Sequence, residues 1–251
     1  MTKTQIARGV LFAALLFTIN PDALAADDSP SAEEILRRSE RYRNAWESFS
    51  VHTRIENFVD GQRKDDADYE VLVKGWERSL VRFLRPDQKG QFLLMVGDDM
   101  WLYLPNTRRP IRITPLQRLL GDASSGDVAR TNYTRDYTPT LVRQDTLSGE
   151  RCYVLDLRAD RAGATYHRIE YWVRVRDSRP VQAEFFLKSG KHYKTAIFTR
   201  YAEQQGRLLL AEMRLIDRLR PGRETVMSFS EYRPRSVPDK YFNKNYLPRL
   251  R

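Results

Sequence analysis

The chain has 251 residues, 41% of them hydrophobic and 11% aromatic, with 43 Lys and Arg against 33 Asp and Glu for a net charge of +10. That balance excludes a disordered tail and suits a chain long enough to bury one large core. A single cysteine excludes an internal disulfide framework, and the dispersed basic excess implies attraction to anionic surfaces such as phospholipid head groups, acidic glycans or nucleic acid.

Residues 1–25 read as a secretory signal peptide. Lys3 and Arg8 form a basic start, Gly9 to Ile19 is the apolar stretch, and Ala23-Leu24-Ala25 fits the small-x-small cleavage rule. The apolar stretch is shorter than the roughly 20 residues a membrane span needs. The expectation is cleavage after Ala25 and an exported, soluble chain forming one domain over residues 26–251.

Ser31 is a candidate N-cap, with Glu33 and Glu34 favourable in the first helical turn. Ala32, Ile35, Leu36, Ser39, Tyr42 and Trp46 recur near helical spacing, which predicts one amphipathic helix from Ala32 to about Ala45. After it the pattern becomes period-2 or wholly apolar. Strands are predicted over Phe49–Phe58, Tyr69–Trp76, Ser79–Leu84, Gln91–Val96 and Met100–Leu104. More follow over Thr140–Asp145, Cys152–Leu157, Arg168–Arg174, Val181–Lys188, Lys191–Tyr201, Arg207–Leu219 and Glu224–Tyr232. Asp60-Gly61, Ser148-Gly149, Ser189-Gly190, Gln205-Gly206 and Pro221-Gly222 mark tight reversals between them.

The segment GDDMWLYLPNTRRPIRI, Gly97 to Ile113, reads as a hairpin whose first strand has apolar cover on both faces. Thr114-Pro115 then opens Leu116-Gln117-Arg118-Leu119-Leu120 before Gly121, a pattern that predicts a short helical plug. Asp122 to Arg130 reads as an exposed loop leading to another short helical piece.

Reactive chemistry is not suggested by any motif. His52, His167 and His192 lie on separate predicted strands without metal-ligand spacing. Cys152 sits in the apolar run CYVLDL, as a buried strand thiol does. Asp65-Asp66 and Asp98-Asp99 read as turns, and Ser124-Ser125-Gly126 lacks the hydrolase elbow pattern. No cofactor, metal ligand or catalytic residue is proposed. Nucleic acid is not expected as a partner, because neither zinc spacing nor a basic recognition helix accompanies the charge.

The predicted fold is mainly β: an incomplete antiparallel barrel, a curved meander closed by the N-terminal helix and the short mid-chain helix. Such a cup can share its apolar lining between the plug and an acyl chain. The candidate lining is Leu116, Leu119 and Leu120 of the plug. To these are added either Met100, Leu102 and Leu104 or else Trp101 and Tyr103, with Trp76, Leu94 and Phe185 as further candidates. Arg108, Arg109 and Arg112 are the densest basic cluster, placed beside the proposed mouth, and are candidates for docking on an anionic surface.

The helix SAEEILRRSERYRNAW, the run GDDMWLYLPNTRRPIRI, the loop SSGDVAR and the strands RCYVLDL, YHRIEYWV and KHYKTAIFTRY, in this order, resemble the outer membrane lipoprotein-sorting protein family. These are periplasmic relatives of the lipoprotein carrier LolA and of RseB-type sensors. The resemblance covers essentially all of residues 26–251. It implies a periplasmic, non-enzymatic half-barrel whose cavity holds the acyl chains of lipids or lipoproteins for transport to the outer membrane. It also implies an inner-membrane exporter and an outer-membrane acceptor as partners. The other function it leaves open is an envelope sensor or scaffold that binds protein partners without carrying lipid. No one position matches a LolA-type cavity arginine.

Overall fold

The computed structural model describes residues 30–107, 109–130 and 132–250. The expected signal peptide, its cleavage site and Arg108 lie outside them. Helix α1 is Ala32–Glu40. The strands before the central segment are β1 (Ser48–Val59), β2 (Gln62–Lys74), β3 (Arg78–Phe83), β4 (Phe92–Val96), β5 (Asp99–Tyr103) and β6 (Ile111–Ile113). The central segment holds β7 (Arg118–Leu120), β8 (Ala123–Ser124), α2 (Ser125–Ala129) and α3 (Tyr133–Asp136). Then come β9 (Tyr137–Leu147), β10 (Glu150–Ala159), β11 (Arg168–Arg174), β12 (Pro180–Phe186), β13 (His192–Gln204), β14 (Arg207–Asp217) and β15 (Arg223–Pro234).

Among the described residues, thirteen strands form one sheet in the order β6-β5-β4-β3-β2-β1-β15-β14-β13-β12-β11-β10-β9. Two antiparallel meanders therefore run outward from a central pair, the first strand on the last, with Phe49 opposite Pro234. The sheet is strongly curved but not closed, as a half-barrel. Its reversals follow the turn residues: Asp60-Gly61, Ser148-Gly149 and Gln205-Gly206 have positive φ at both positions, the conformation that matches strand twist in a two-residue hairpin. At the edges, Pro110 precedes β6, while β9 carries Pro139 and a bulge at Val142. Both devices discourage pairing with another chain.

Side chains alternate cleanly between the two faces. Across the first meander the inner face carries the rows Val73, Ser79, Met95, Met100, Ile113 and Val71, Val81, Leu93, Leu102, Ile111. The outer face carries Leu72, Leu80, Leu94 and Trp101 in one row. The apolar run of β5 is thus covered twice. Met100 and Leu102 join the main core, whereas Trp101 and Tyr103 pack outside with Leu94 beneath the C-terminal segment. That segment has two 3-10 turns, Asp239–Phe242 and Lys244–Arg249. It buries Val237, Phe242 and Leu247 on the outer face. Burying side chains of that size stabilises by roughly 1.5–3 kcal/mol each.

Helix α1 begins as expected: the Ser31 side chain accepts from the Glu34 amide, and Glu33 and Glu34 occupy the first turn. It ends at Glu40 rather than near Ala45. Beyond Glu40 the chain loosens into turns, and the Tyr42 carbonyl accepts from the Leu210 amide of β14 instead of continuing the helix.

The central segment corrects the sequence expectation. Leu116 to Leu120 is not a helical turn. Arg118–Leu120 is extended and pairs with Ala123–Ser124, the chain reversing at Gly121 with φ 55°. A side chain at Gly121 would strike Asn57 and Thr225, so the reversal lies flat against β1 and β15. Asp122 to Arg130 is not an exposed loop either. Ala123, Ser124, Ser125, Gly126 and Ala129 are small enough to lie against the inner face, and all but Asp127 in that stretch are buried. The short helix is α2, nine residues later in the chain than expected, followed by the single turn α3. Asp65 and Asp66 likewise belong to β2 rather than to a turn, with Asp66 bound by Arg54.

Candidate functional site

The inner face of the half-barrel is covered by α1 on one side and by the plug, Thr114 to Asp136, on the other. The plug is pinned at three points. Near its start, the Asp122 amide donates to Thr225 Oγ1 at 2.8 Å and Arg220 Nη2 reaches Asp122 Oδ1 at 2.7 Å. In the middle, α2 opens with a reciprocal capping box between Ser124 and Asp127. Asp127 also accepts from Lys194 Nζ and, at 2.7 Å, from Tyr166 Oη. At its end, Arg130 grips Asp136 with two bonds of 2.6 and 2.7 Å, then the Gly97 carbonyl at 2.8 Å and Asp98 at 3.1 Å.

Charge is therefore concentrated around a small helix inside an apolar cup, and burial shifts its titrations. Burial lowers the Lys194 ammonium below its usual value despite the Asp127 carboxylate. Burial also raises Asp136, against the pull of Arg130. Asp122 is pushed up to about 6, first by burial and then by the neighbouring charge of Asp217. Arg118 lies 3.4 Å from Asp122 and 3.7 Å from Asp217, so one side chain of β7 spans both acids.

Arg43 is the polar residue that sequence reasoning missed. It lies just beyond α1, its guanidinium 4.3 Å over the Tyr133 ring and 3.9 Å from Glu40. Glu40 is buried, accepts from the Tyr133 amide at 3.0 Å and from Asn44 at 2.5 Å, and is raised by burial. Arg43 borders two internal gaps, one on each side of α2. Its only signal in the sequence was a charged residue among the helix-end positions of RYRNAW, where arginine is normally solvated.

The gap between α2 and the sheet is walled by Phe49, Val51, Val71, Val128, Met213 and Tyr232, among others, and has room of about 40 Å³. That is close to the space of one water and far below the roughly 300–1,000 Å³ of ligand pockets. With the plug seated, the cup is shut.

The candidate lining divides accordingly. Met100 and Leu102 lie on the inner face, with Leu116, Leu119 and Leu120 half-buried against the same core. Leu104 lies just beyond β5 and is half-buried. Phe185 is fully buried, its ring 4.3 Å from that of Tyr166. The structure does not bring Leu94, Trp101 and Tyr103 into this set, because the C-terminal segment covers them outside. Trp76 sits in the β2–β3 turn and is 49% exposed. Of the arginines, Arg109 is exposed and Arg112 pairs with Asp99 on the outer face. Cys152 is buried with Val154 and Trp172 on the outer face, and burial raises its thiol. Among the described residues no helix is long and apolar enough to cross a membrane.

A curved antiparallel sheet whose apolar hollow is occluded by a short pinned helix defines the class: a half-barrel of the lipoprotein-sorting type. A LolA superfamily protein from Nitrosomonas europaea is similar at 34% identity with a TM-score of 0.81, over 87% of this chain and 100% of that one. A DUF1329 family protein from Desulfovibrio piger shares the fold at 22% identity and a TM-score of 0.73, covering 86% of this chain and 97% of its own. A putative outer membrane lipoprotein-sorting protein domain from Vibrio parahaemolyticus does so at 20% identity and 0.71, covering 86% and 98%. A family model described as "Uncharacterized protein" matches residues 75–249. None of the curated proteins matches. The chain belongs to the LolA superfamily.

Proposed function

We propose that this protein is a periplasmic carrier that shelters the acyl chains of a lipid or lipoprotein inside the half-barrel, on the way to the outer membrane. The observation that supports this most is the apolar inner face covered by a short plug segment. Hydrocarbon gains about 25 cal/mol for each Å² removed from water, so a cup with a displaceable cover suits an acyl chain. The plug's buried residues are mostly small, and polar pins add to its apolar hold on the sheet. The sorting domain from Vibrio parahaemolyticus, of the same fold, is named for a compatible role. Such a carrier takes its cargo from an exporter in the inner membrane, gives it to an acceptor at the outer membrane, and acts without catalysis. Arg108, Arg109 and Arg112 serve it as a transient contact with anionic membrane surfaces.

A fluorescent fatty acid tests the reading. Wild type should bind it, while Leu102→Asp, Leu119→Asp and Val128→Trp should abolish binding, the first two by placing a costly charge in the apolar site and the third by filling it. Circular dichroism identifies the variants that fold. Folded variants that bind like wild type would overturn the proposal.

A further inference from the structure

Adjoining gaps lead from beneath α2 toward the surface beside Trp76. The gap beneath α2 shares Val73 with a second, smaller gap of about 20 Å³ between β3 and the end of α2, where Ala129 stands. That second gap shares Asn44, Trp76 and Asn132 with an open groove of about 610 Å³. The three form a line from the interior, past Val73 and Ala129, to the outside beside Trp76.

The groove is cationic and partly apolar. Arg37 and Arg41 reach it from α1 and its end, and Arg135 from α3. Two acids also line it, but both are engaged. Glu40 is committed inward to Tyr133 and Asn44, and Glu77 receives Arg135 Nε at 3.0 Å. Arg37 is held by Glu34, whereas Arg41 has no carboxylate at ion-pair distance among the described residues. Arg135 is nine-tenths buried, with Glu77, Asp98 and Asp136 at 3.0, 3.8 and 3.9 Å and the Gly97 carbonyl at 3.4 Å, while its Nη2 makes no hydrogen bond among the described residues. Arg41 supplies the exposed positive charge of the groove, and the Arg135 nitrogen that makes no hydrogen bond supplies a second donor beside it. The exposed Trp76 indole beside it offers an apolar surface, of the kind that covers the first carbons of a chain.

We propose that this groove is the port of the half-barrel: Arg41 and Arg135 hold the anionic headgroup of a single-chain amphiphile, and its chain passes Trp76 and Ala129 into the cup. The inference rests on the carrier reading above and adds to it the headgroup chemistry and the route.

Dodecyl phosphate is the probe and dodecanol its neutral counterpart, each titrated into the full chain. Emission is read as the difference between wild type and Trp76→Phe. Dodecyl phosphate should change the Trp76 signal. Arg41→Gln should weaken it about three- to fivefold, the scale of one exposed charge contact, while dodecanol binding stays within twofold. Ala129→Trp should close the neck and remove binding of both. If wild type binds both probes but Arg41→Gln and Ala129→Trp change neither, the port is wrong and the carrier reading stands. If Arg41→Gln weakens both probes equally, or inorganic phosphate competes as well as dodecyl phosphate, the port is also overturned. If wild type binds neither probe, both readings fall.

Discussion

Lys194 Nζ, within β13, donates to the same Asp127 oxygen that accepts the Ser124 amide in the capping box of α2. The wall of the half-barrel therefore completes the cap of the helix that plugs it. Both side chains are almost wholly buried, at 1% and 5% exposure. Removing one partner leaves the other charged and unpaired, whereas removing both can cost little.

Lys194→Met is accordingly expected to destabilise the protein by about 3–5 kcal/mol in urea denaturation. The double variant with Asp127→Asn should recover much of that loss. A double variant no better than the single one would mean that the pair is not energetically coupled.

Gly126 lies so close to Thr165 that an added Cβ would stand 2.1 Å from Thr165 Oγ1. Gly126→Ala should push α2 off its seat, lowering Tm and speeding fatty-acid association measured by stopped flow. Thr165→Ala in the same chain should relieve both effects. Association at the wild-type rate would show that α2 does not cover the binding surface.

The raised Asp122 carboxyl predicts a pH dependence. Its folded value of about 6 exceeds its ordinary 3.8, so the folded state binds the proton more tightly. The stability it contributes is present below about pH 4 and is lost as pH rises through about 6, by roughly 2–3 kcal/mol at most. Arg118 and Arg220 face this carboxyl from β7 and the β14–β15 turn, Asp217 faces it from β14, and Lys194 binds its carbonyl. Asp122→Asn should flatten the curve between pH 4 and 7 in denaturant titrations at several pH values. Parallel curves for the two proteins would refute the assignment.

Cys152 is fully buried outside the cup, its Sγ 3.5 Å from the Glu150 carbonyl. Cys152→Ser should bind fatty acid as wild type does, with a stability loss of about 1 kcal/mol. Modification by a thiol reagent should be slow in the folded protein and fast in urea. Loss of binding in the folded variant would reveal thiol chemistry.

The basic excess predicts salt-sensitive docking. Arg109→Gln with Arg112→Gln should reduce co-sedimentation with anionic vesicles but not with neutral ones. Exposed charges are screened over roughly 8 Å at physiological salt, so the wild-type interaction should fade as salt rises. Equal binding to both vesicles would make these arginines ordinary solvated residues.

The strands of the large sheet were legible because their runs alternate or are wholly apolar and many reversals carry turn residues; the predicted Arg168–Arg174 coincides with β11. The plug was not legible for a local reason. Leu116 to Leu120 is too short for periodicity to separate helix from strand, and only contact of Gly121 with Asn57 and Thr225 decides it. Asp122 to Arg130 has the composition of a loop, and its burial depends on partners such as Thr225 and Lys194, far away in sequence. The same holds for β5. Alternation separated Met100 and Leu102 from Trp101 and Tyr103, but the face covered by the C-terminal segment could not be read locally. Arg43 became visible only when Tyr133 was placed beneath it.

The pairing of β1 with β15 has a consequence for the order in which the molecule assembles. Phe49 waits for Pro234, and Val59 for Arg223. While the chain emerges, β1 can pair with β2 on one side only, leaving its other backbone edge unpaired and the apolar stripe of Phe49, Val51 and Ile55 flanked on one side alone. Contacts this distant in sequence make folding slow and expose edges that aggregate. The half-barrel therefore acquires its hollow last, after nearly all of the chain has been made, and until then its greasy strands stay open to the wrong partners.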